Sequence, residues 1–168
     1  MDKITRPILY FFLCAFLLTS CSKDNIKEEV ESFDQLATKK TDYNYSLMEL
    51  EILERINIYR TVKGLNELKP IVEISLEAEV HNSYMIDNGE VSHDNFAERA
   101  SYLANEVDAK SVSENIAYGY RTADAVVNAW LKSKDHRKNI EKNLTHFGIS
   151  VRQDAEGKNY FTNIFIRK

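Results

Sequence analysis

Histidine and carboxylate side chains are the groups in this chain that could carry out chemistry. The sequence holds four histidines, at positions 81, 93, 136 and 146. It has no HExxH pair, no G-x-S-x-G turn and no glycine-rich phosphate loop. A catalytic or binding site must therefore be assembled by folding, from histidines and carboxylates that are distant in sequence.

Two of the histidines lie where a side chain is expected to face a cleft. His93, in "VSHDNF", follows a predicted helix, and His136, in "KSKDHRKNI", lies at a break between two helical segments. Such junctions often carry binding groups. His81 falls on an apolar helical row and His146 begins a predicted strand, so we expect structural roles for both.

Glu114 is a carboxylate in an otherwise apolar stretch, "SENIAYGY". Side chains alternate along an extended chain, so Glu114 shares a face with Ile116 and Tyr118. A charge on an apolar face is costly unless a partner offsets it. The candidate partners are His93, His136 or a backbone donor. The sequence is equally consistent with ligand binding by Glu114 and with a purely structural role in bracing nearby loops.

Three or four amphipathic helices are predicted to position these residues. The first opens at a capping box formed by Ser46 and Glu49 and ends at Gly64. The second covers "LKPIVEISLEAEVHNSYMIDNG". Two shorter ones are predicted in "DNFAERASYLAN" and "TADAVVNAWLKS", the latter capped by Thr122.

The C-terminal part alternates in polarity and is rich in β-branched and aromatic residues. "HFGISVRQ" and "NYFTNIFIRK" predict two strands, and "DAEGK" between them predicts a hairpin loop. With the extended segment around Glu114, these strands predict an α+β fold in which helices pack on a small, mainly antiparallel sheet.

The first 20 residues have the features of a secretory signal. Lys3 and Arg6 precede the apolar run "ILYFFLCAFLL", which is short for a membrane span. The signal ends in "LTSC", which resembles a bacterial lipobox and predicts lipidation at Cys21. An ordinary cleaved signal is the alternative. Processing would also remove Cys14, so the mature chain would have neither a disulfide nor a cysteine nucleophile.

Residues 21–43 are polar, lack a sustained period and predict a flexible tether, which leaves residues 44–168 as one domain. The "SKDN" after Cys21 resembles the surface-export signals of Bacteroidetes-type lipoproteins. We therefore expect a lipid anchor in the cell envelope, at the outer membrane or cell surface. The formal net charge of −4 and the lack of a basic stripe argue against a nucleic-acid partner.

Several blocks of this sequence, in order, resemble the bacterial branch of the CAP superfamily of SCP-like secreted proteins. The blocks are "AEVHNSYMIDNGEVSH", "SENIAYG", "AWLKSKDHRKNI", "HFGISV" and "YFTNIF". They cover most of residues 46–168. The superfamily also includes cysteine-rich secretory proteins, venom antigens and plant pathogenesis-related proteins.

This resemblance implies a three-layer α-β-α sandwich with a large central cleft. In the eukaryotic members two histidines and two glutamates face the cleft, and the histidines can bind a divalent metal such as zinc. By position, His93 and His136 match the histidines and Glu114 matches the first glutamate. Ser133 replaces the second glutamate, and Ser113 replaces a glycine usual before the first.

The resemblance thus implies a cleft lined by His93, Glu114, Ser133 and His136. Two histidines and one carboxylate would suit zinc with one position open to a water molecule, which the metal could activate. Because the second acid is absent, a general base is not evident, which favours binding of a lipid-like, peptide or protein ligand. A zinc-dependent hydrolase or protease and a non-catalytic surface adhesin are the alternatives.

Overall fold

The computed structural model describes residues 43–168. The predicted signal peptide, Cys21 and nearly all of the predicted tether lie outside the described residues. The described chain forms five helices and four strands. In order they are α1 (Leu47–Val62), β1 (Lys69–Pro70), α2 (Val72–Asn88), α3 (Phe96–Glu106), β2 (Ser111–Tyr118), α4 (Ala123–Lys132), α5 (Lys134–Glu141), β3 (His146–Gln153) and β4 (Asn159–Arg167).

The strands form one sheet in the order β1-β3-β4-β2. The predicted hairpin is present, with β3 antiparallel to β4, and β2 pairs antiparallel with the other side of β4. The two-residue strand β1, which the sequence analysis did not predict, pairs parallel with β3. The α+β class and the mainly antiparallel sheet are confirmed, and β2, which carries Glu114, is an edge strand.

Helices cover both faces of the sheet, as expected for three layers. On β4, Phe161 and Phe165 point to a core shared with α1, α4 and α5. Ile164 and Ile166 point to the opposite face, where they pack with Ile74 and Leu103 of α2 and α3. This alternation along one buried strand follows from the two-residue repeat of β structure.

The local signals in the sequence act as predicted at the helix ends. Ser46 Oγ accepts a hydrogen bond from the Glu49 N–H, and the Glu49 side chain accepts one from the Ser46 N–H, which completes the capping box. Thr122 Oγ1 caps α4 by accepting from the Ala125 N–H. The chain leaves α2 through Gly89 in the left-handed conformation, at φ 64°.

The first described residue, Tyr43, belongs to the domain although the sequence analysis placed it at the end of the tether. It is buried, and its hydroxyl lies 2.6 Å from Glu49 Oε1 and 3.1 Å from the carbonyl oxygen of Ile149 in β3. Glu49 Oε1 also accepts from the Val151 N–H and from Arg152. The capping glutamate of α1 therefore joins Tyr43 to the sheet.

The free edge of β2 is covered by side chains rather than by another strand. Trp130 Nε1 of α4 donates to the carbonyl oxygen of Ile116, and Asn139 Nδ2 of α5 donates to that of Glu114. These bonds satisfy backbone acceptors that an edge strand would otherwise leave open. Among residues 43–168, no helix is long and apolar enough to cross a membrane.

Candidate functional site

Glu114 is a buried charge whose two carboxylate oxygens both have partners. It is 4% exposed and lies on the α2–α3 face of β2, opposite Ile164 in the sheet register. Arg99 binds it with two bonds, Nε to Oε2 at 3.0 Å and Nη2 to Oε1 at 2.9 Å. His93 Nδ1 lies 2.8 Å from Oε1. His93, a predicted partner, thus contacts Glu114, and Arg99 binds the same carboxylate more strongly.

Arg99 is the residue of this site that the sequence analysis did not identify. It lies on α3, is 5% exposed, and donates through Nη1 to the carbonyl oxygen of Asp94. Arg99 and Leu103 are the buried residues of α3 and are one turn apart. The sequence therefore held a signal for Arg99. An arginine on the buried stripe of a short helix needs an acidic partner, and Glu114 on its apolar strand face needs a basic one.

His93 is the exposed member of the cluster. It lies in the loop between α2 and α3, and its side chain is 52% exposed although Nδ1 contacts the buried carboxylate. A carboxylate accepts hydrogen bonds, so Nδ1 carries the proton. The other ring nitrogen, Nε2, is then available to a ligand, and the bond to Glu114 holds the ring in one orientation.

His136 lies near the same cluster but approaches it from the sheet edge. It occupies the first turn of α5 and is half-buried. The Asn115 side chain donates to its carbonyl oxygen at 3.0 Å, and Asn139 of α5 donates to the Asn115 side chain. Burial lowers the pKa of His136, and the nearby His93 lowers it further. His93 is thus close enough to affect the charge of His136.

Ser133 is part of a helix junction. Its N–H donates to the Ala129 carbonyl oxygen at the end of α4, and its own carbonyl oxygen accepts from the Arg137 N–H in α5. Within the described chain, its side chain makes no capping bond. The break between the two predicted helical segments is therefore at Ser133, three residues before His136.

His81 is buried, as expected for a residue on an apolar helical row, but it is next to Glu114. It is 1% exposed, and Nε2 lies 2.8 Å from the Ser92 carbonyl oxygen and 3.9 Å from Glu114 Oε1. Burial lowers its pKa, against the opposing charge of Glu114. The neutral ring therefore donates from Nε2, and Nδ1 is an acceptor with no hydrogen-bond partner among residues 43–168.

Burial alone would raise the pKa of Glu114, because it disfavours the charged form. The hydrogen bonds from His93 and Arg99, with the charge of Arg99, outweigh this effect and lower the pKa overall. The carboxylate is thus ionised and neutralised within the protein. A base so strongly stabilised in its charged form is a poor proton acceptor.

The residues do not fit a zinc site in which Glu114 is a third ligand beside His93 and His136. Both oxygens of Glu114 are bonded to Arg99 and His93, and residues 43–168 contain no group of three histidine, cysteine or acidic side chains arranged to hold a metal. His93 and His136 remain as two nitrogen donors. In that arrangement Glu114 would orient His93 rather than bind the metal.

Further aromatic and basic side chains lie either in the core or partly exposed at the surface. Trp130 is buried in the core that α1, α4 and α5 share. Tyr118, on the same face of β2 as Glu114, is 44% exposed and its ring packs on that of Tyr160 at 4.7 Å. Arg137 donates to the Leu131 carbonyl oxygen. His146 is half-buried at the start of β3.

Comparison with known proteins identifies a family. The sequence profile of the "Cysteine-rich secretory protein family" (CAP) matches residues 53–165. The uncharacterized protein YkwD of Bacillus subtilis is 30% identical over 135 residues, which are 78% of this chain and 51% of YkwD. The chain thus spans about half the length of this curated relative.

Two solved structures resemble the fold. An extracellular protein containing an SCP domain from Bacillus anthracis matches with a TM-score of 0.63 and 28% identity, over 71% of this chain and 40% of that one. An outer surface protein of Borrelia burgdorferi matches with a TM-score of 0.65 over 74% of this chain and 96% of that one. At 19% identity, the second likeness concerns the fold alone.

Proposed function

Since this chain belongs to the cysteine-rich secretory protein (CAP) family, we propose that it is an extracytoplasmic binding protein whose cleft at His93 and His136 holds a lipid-like ligand. The observation that carries the proposal is the state of Glu114. Its carboxylate is saturated by Arg99 and His93, so it supports the cleft and is not available as a general base.

The ligand would meet two kinds of surface. His93 and His136 offer ring nitrogens to a polar head group, and Tyr118, packed on Tyr160, offers an apolar surface to a chain. Tyr118 is four residues from Glu114 on one face of β2, about 13 Å along the strand. A head group and a short stretch of alkyl chain span such a distance.

Fluorescence titration with the fatty acid cis-parinaric acid tests this proposal. The protein is the mature chain, residues 21–168, with Cys21→Ser so that it carries no lipid. We expect saturable binding that Tyr118→Ala weakens about tenfold, the loss expected for one buried aromatic contact. Tyr102→Ala is the matched control, because Tyr102 is 46% exposed but lies on α3. Absence of saturable binding, or equal loss in both variants, would exclude a lipid-like ligand at this cleft.

A divalent metal is a second candidate ligand, favoured by one contact. The bond from His93 Nδ1 to Glu114 directs Nε2 outward, which is the usual arrangement of a metal-binding histidine. We propose that His93 and His136 could together bind zinc, with the other positions filled by solvent or ligand. Calorimetric titration of zinc should show one site that is lost in His93→Ala and in His136→Ala and kept in His146→Ala. Binding indifferent to the first two substitutions would exclude this site.

We also propose that the protein is a lipoprotein, lipidated at Cys21 and displayed at the outer membrane or surface of a Bacteroidetes-type bacterium. The lipobox-like "LTSC" and the following "SKDN" support this. The matched structures include a protein described as extracellular and one described as an outer surface protein. The location is consistent with a tethered domain that binds molecules outside the cytoplasm.

A further inference from the structure

Polar contacts hold the helix that carries His136. Among the eight residues of α5 only Ile140 is buried, so the burial of apolar surface fixes the position of this helix loosely. At its C-terminal end, Nη1 of Arg60 in α1 donates to the carbonyl oxygens of Ile140 and Lys142. Hydrogen bonds depend strongly on distance and angle, whereas apolar contacts are not directional. The position of α5 therefore depends on its hydrogen-bond partners.

Two asparagines join α5 to strand β2. Nδ2 of Asn139 donates at 3.0 Å to the carbonyl oxygen of Glu114 and at 3.0 Å to Oδ1 of Asn115. Nδ2 of Asn115 in turn donates at 3.0 Å to the carbonyl oxygen of His136, in the first turn of α5. Asn115 is fully buried, and its amide oxygen and nitrogen both bind α5. This position requires a side chain with both a donor and an acceptor, which is what an amide provides.

Two neighbouring residues of β2 connect to both histidines of the cleft. Glu114 binds Nδ1 of His93 through its carboxylate at 2.8 Å and binds Asn139 through its carbonyl oxygen. The side chain of Asn115 points to the opposite face of the strand, because side chains alternate, and it binds the backbone of His136. Residues 114–115 thus link the loop that carries His93 to the helix that carries His136, through the backbone of a strand that is itself paired with β4.

We propose that Asn115 and Asn139 are positioning residues of the cleft, which place the His136 ring relative to the His93 ring so that both meet one head group. This inference rests on the proposed function, because it concerns the same ligand. Both asparagines act on the ligand through α5 and not by contact. Without their bonds the carbonyl oxygens of Glu114 and His136 lose their donors, and α5 can shift along the sheet edge. A role limited to the stability of the fold is the alternative that the experiments separate.

The first test is a double-variant cycle on the mature chain described above, titrated with cis-parinaric acid. Asn139→Ala and His136→Ala should each weaken binding about tenfold, the loss expected for one hydrogen bond to the head group. Because Asn139 acts through His136, the double variant should bind no more weakly than His136→Ala alone. Asn143→Ala removes an exposed asparagine just after α5 and should leave binding unchanged. Losses that add to about a hundredfold in the double variant, or an equal loss in Asn143→Ala, would overturn the proposal.

The second test needs no ligand, so it decides this inference even if cis-parinaric acid does not bind and the proposed function fails. Residual dipolar couplings, measured by NMR, give the directions of the N–H bonds of α5 relative to those of the sheet. We expect these directions to change in Asn139→Ala and in Asn115→Ala and to be kept in Asn143→Ala, with the directions in α3 unchanged throughout. A role limited to stability would lower the free energy of unfolding without reorienting α5.

Unchanged α5 directions in Asn139→Ala would overturn the proposal, whatever the loss of stability. Because Asn115 is fully buried, its alanine variant can fail to fold, and the half-buried Asn139 then carries the decision.

Discussion

At the scale of single residues, the molecule is organised around one buried acid. Glu114 is tolerated on an apolar strand face because Arg99 binds both of its oxygens and His93 binds one. A buried ion pair contributes little net stability by itself, but loss of one partner leaves an uncompensated charge. The paired groups therefore fix the relative positions of α3, β2 and the loop that carries His93.

Replacement of Arg99 by alanine should be strongly destabilising. It leaves Glu114 buried without its main partner, and we expect the free energy of unfolding to fall by about 3–5 kcal/mol in urea denaturation. The control is Arg55→Ala, which breaks an exposed pair with Asp124 and should cost at most about 1 kcal/mol. In an Arg99→Ala, Glu114→Gln double variant part of the loss should be recovered. Similar losses in the free energy of unfolding for Arg99→Ala and Arg55→Ala would contradict the role given to the buried pair of Arg99 and Glu114.

The same acid should make the domain sensitive to low pH. The pKa of Glu114 is lowered in the folded state, so its contribution to stability is complete above the unfolded value of about 4.3 and is lost as pH falls through the folded value. Urea denaturation measured from pH 6 to pH 3 should show a steep decline for the parent. Glu114→Gln should be less stable at pH 6 but show a shallower decline. If the stabilities of the parent and of Glu114→Gln fall in parallel with pH, Glu114 is not the group that causes the decline.

At the scale of elements, the close packing of α2 against β3 depends on a residue without a side chain. A Cβ atom at Gly148 would lie 2.6 Å from the Ser75 backbone nitrogen and 2.7 Å from the Ile74 carbonyl carbon. These are backbone atoms, which cannot rotate away. The helix that carries Glu77 and His81 is therefore held in contact with the sheet by the absence of a methyl group.

Gly148→Ala should move α2 away from the sheet or prevent folding. We expect a loss of at least about 3 kcal/mol in the free energy of unfolding, since overpacking against backbone cannot be relieved by side-chain rotation. Gly157→Ala is the comparison: its Cβ would meet no atom within 4 Å, but its φ is +74°, which costs about 1 kcal/mol. Thermal and urea denaturation give both values. Equal losses would mean that the α2–β3 contact is not tight.

Helices and strands with a strong local signal could be predicted from the sequence. The residues of the site could be predicted only in part. The capping residues Ser46 and Thr122 and the alternation in β3 and β4 gave the correct helices and hairpin. Strand β1 is two residues long and depends on pairing with distant β3, so no local pattern indicates it. Arg99 lies on the buried stripe of α3, which is a local signal, but the identity of its partner depends on folding, which brings it against an acid 15 residues away on β2.

At the scale of the whole molecule, the prediction concerns the attachment of the domain. If Cys21 is the lipidated residue, Cys21→Ser should move the protein from the membrane fraction to the soluble fraction of lysed cells. Cys14→Ser is the matched control, because Cys14 lies in the segment that processing would remove. It should leave the protein with the membranes. Retention of the Cys21→Ser variant in the membrane fraction would contradict the anchor.

The position of Tyr43 has a mechanical consequence for a domain held in this way. A pull that is applied at Tyr43 acts on a residue whose hydroxyl is hydrogen-bonded to Glu49 and to Ile149 of β3. Glu49 in turn accepts from Val151 and Arg152 of the same strand. The load therefore passes into β3, an interior strand of the sheet, as well as into the first turn of α1. Unwinding of this helix need not be the first event under tension.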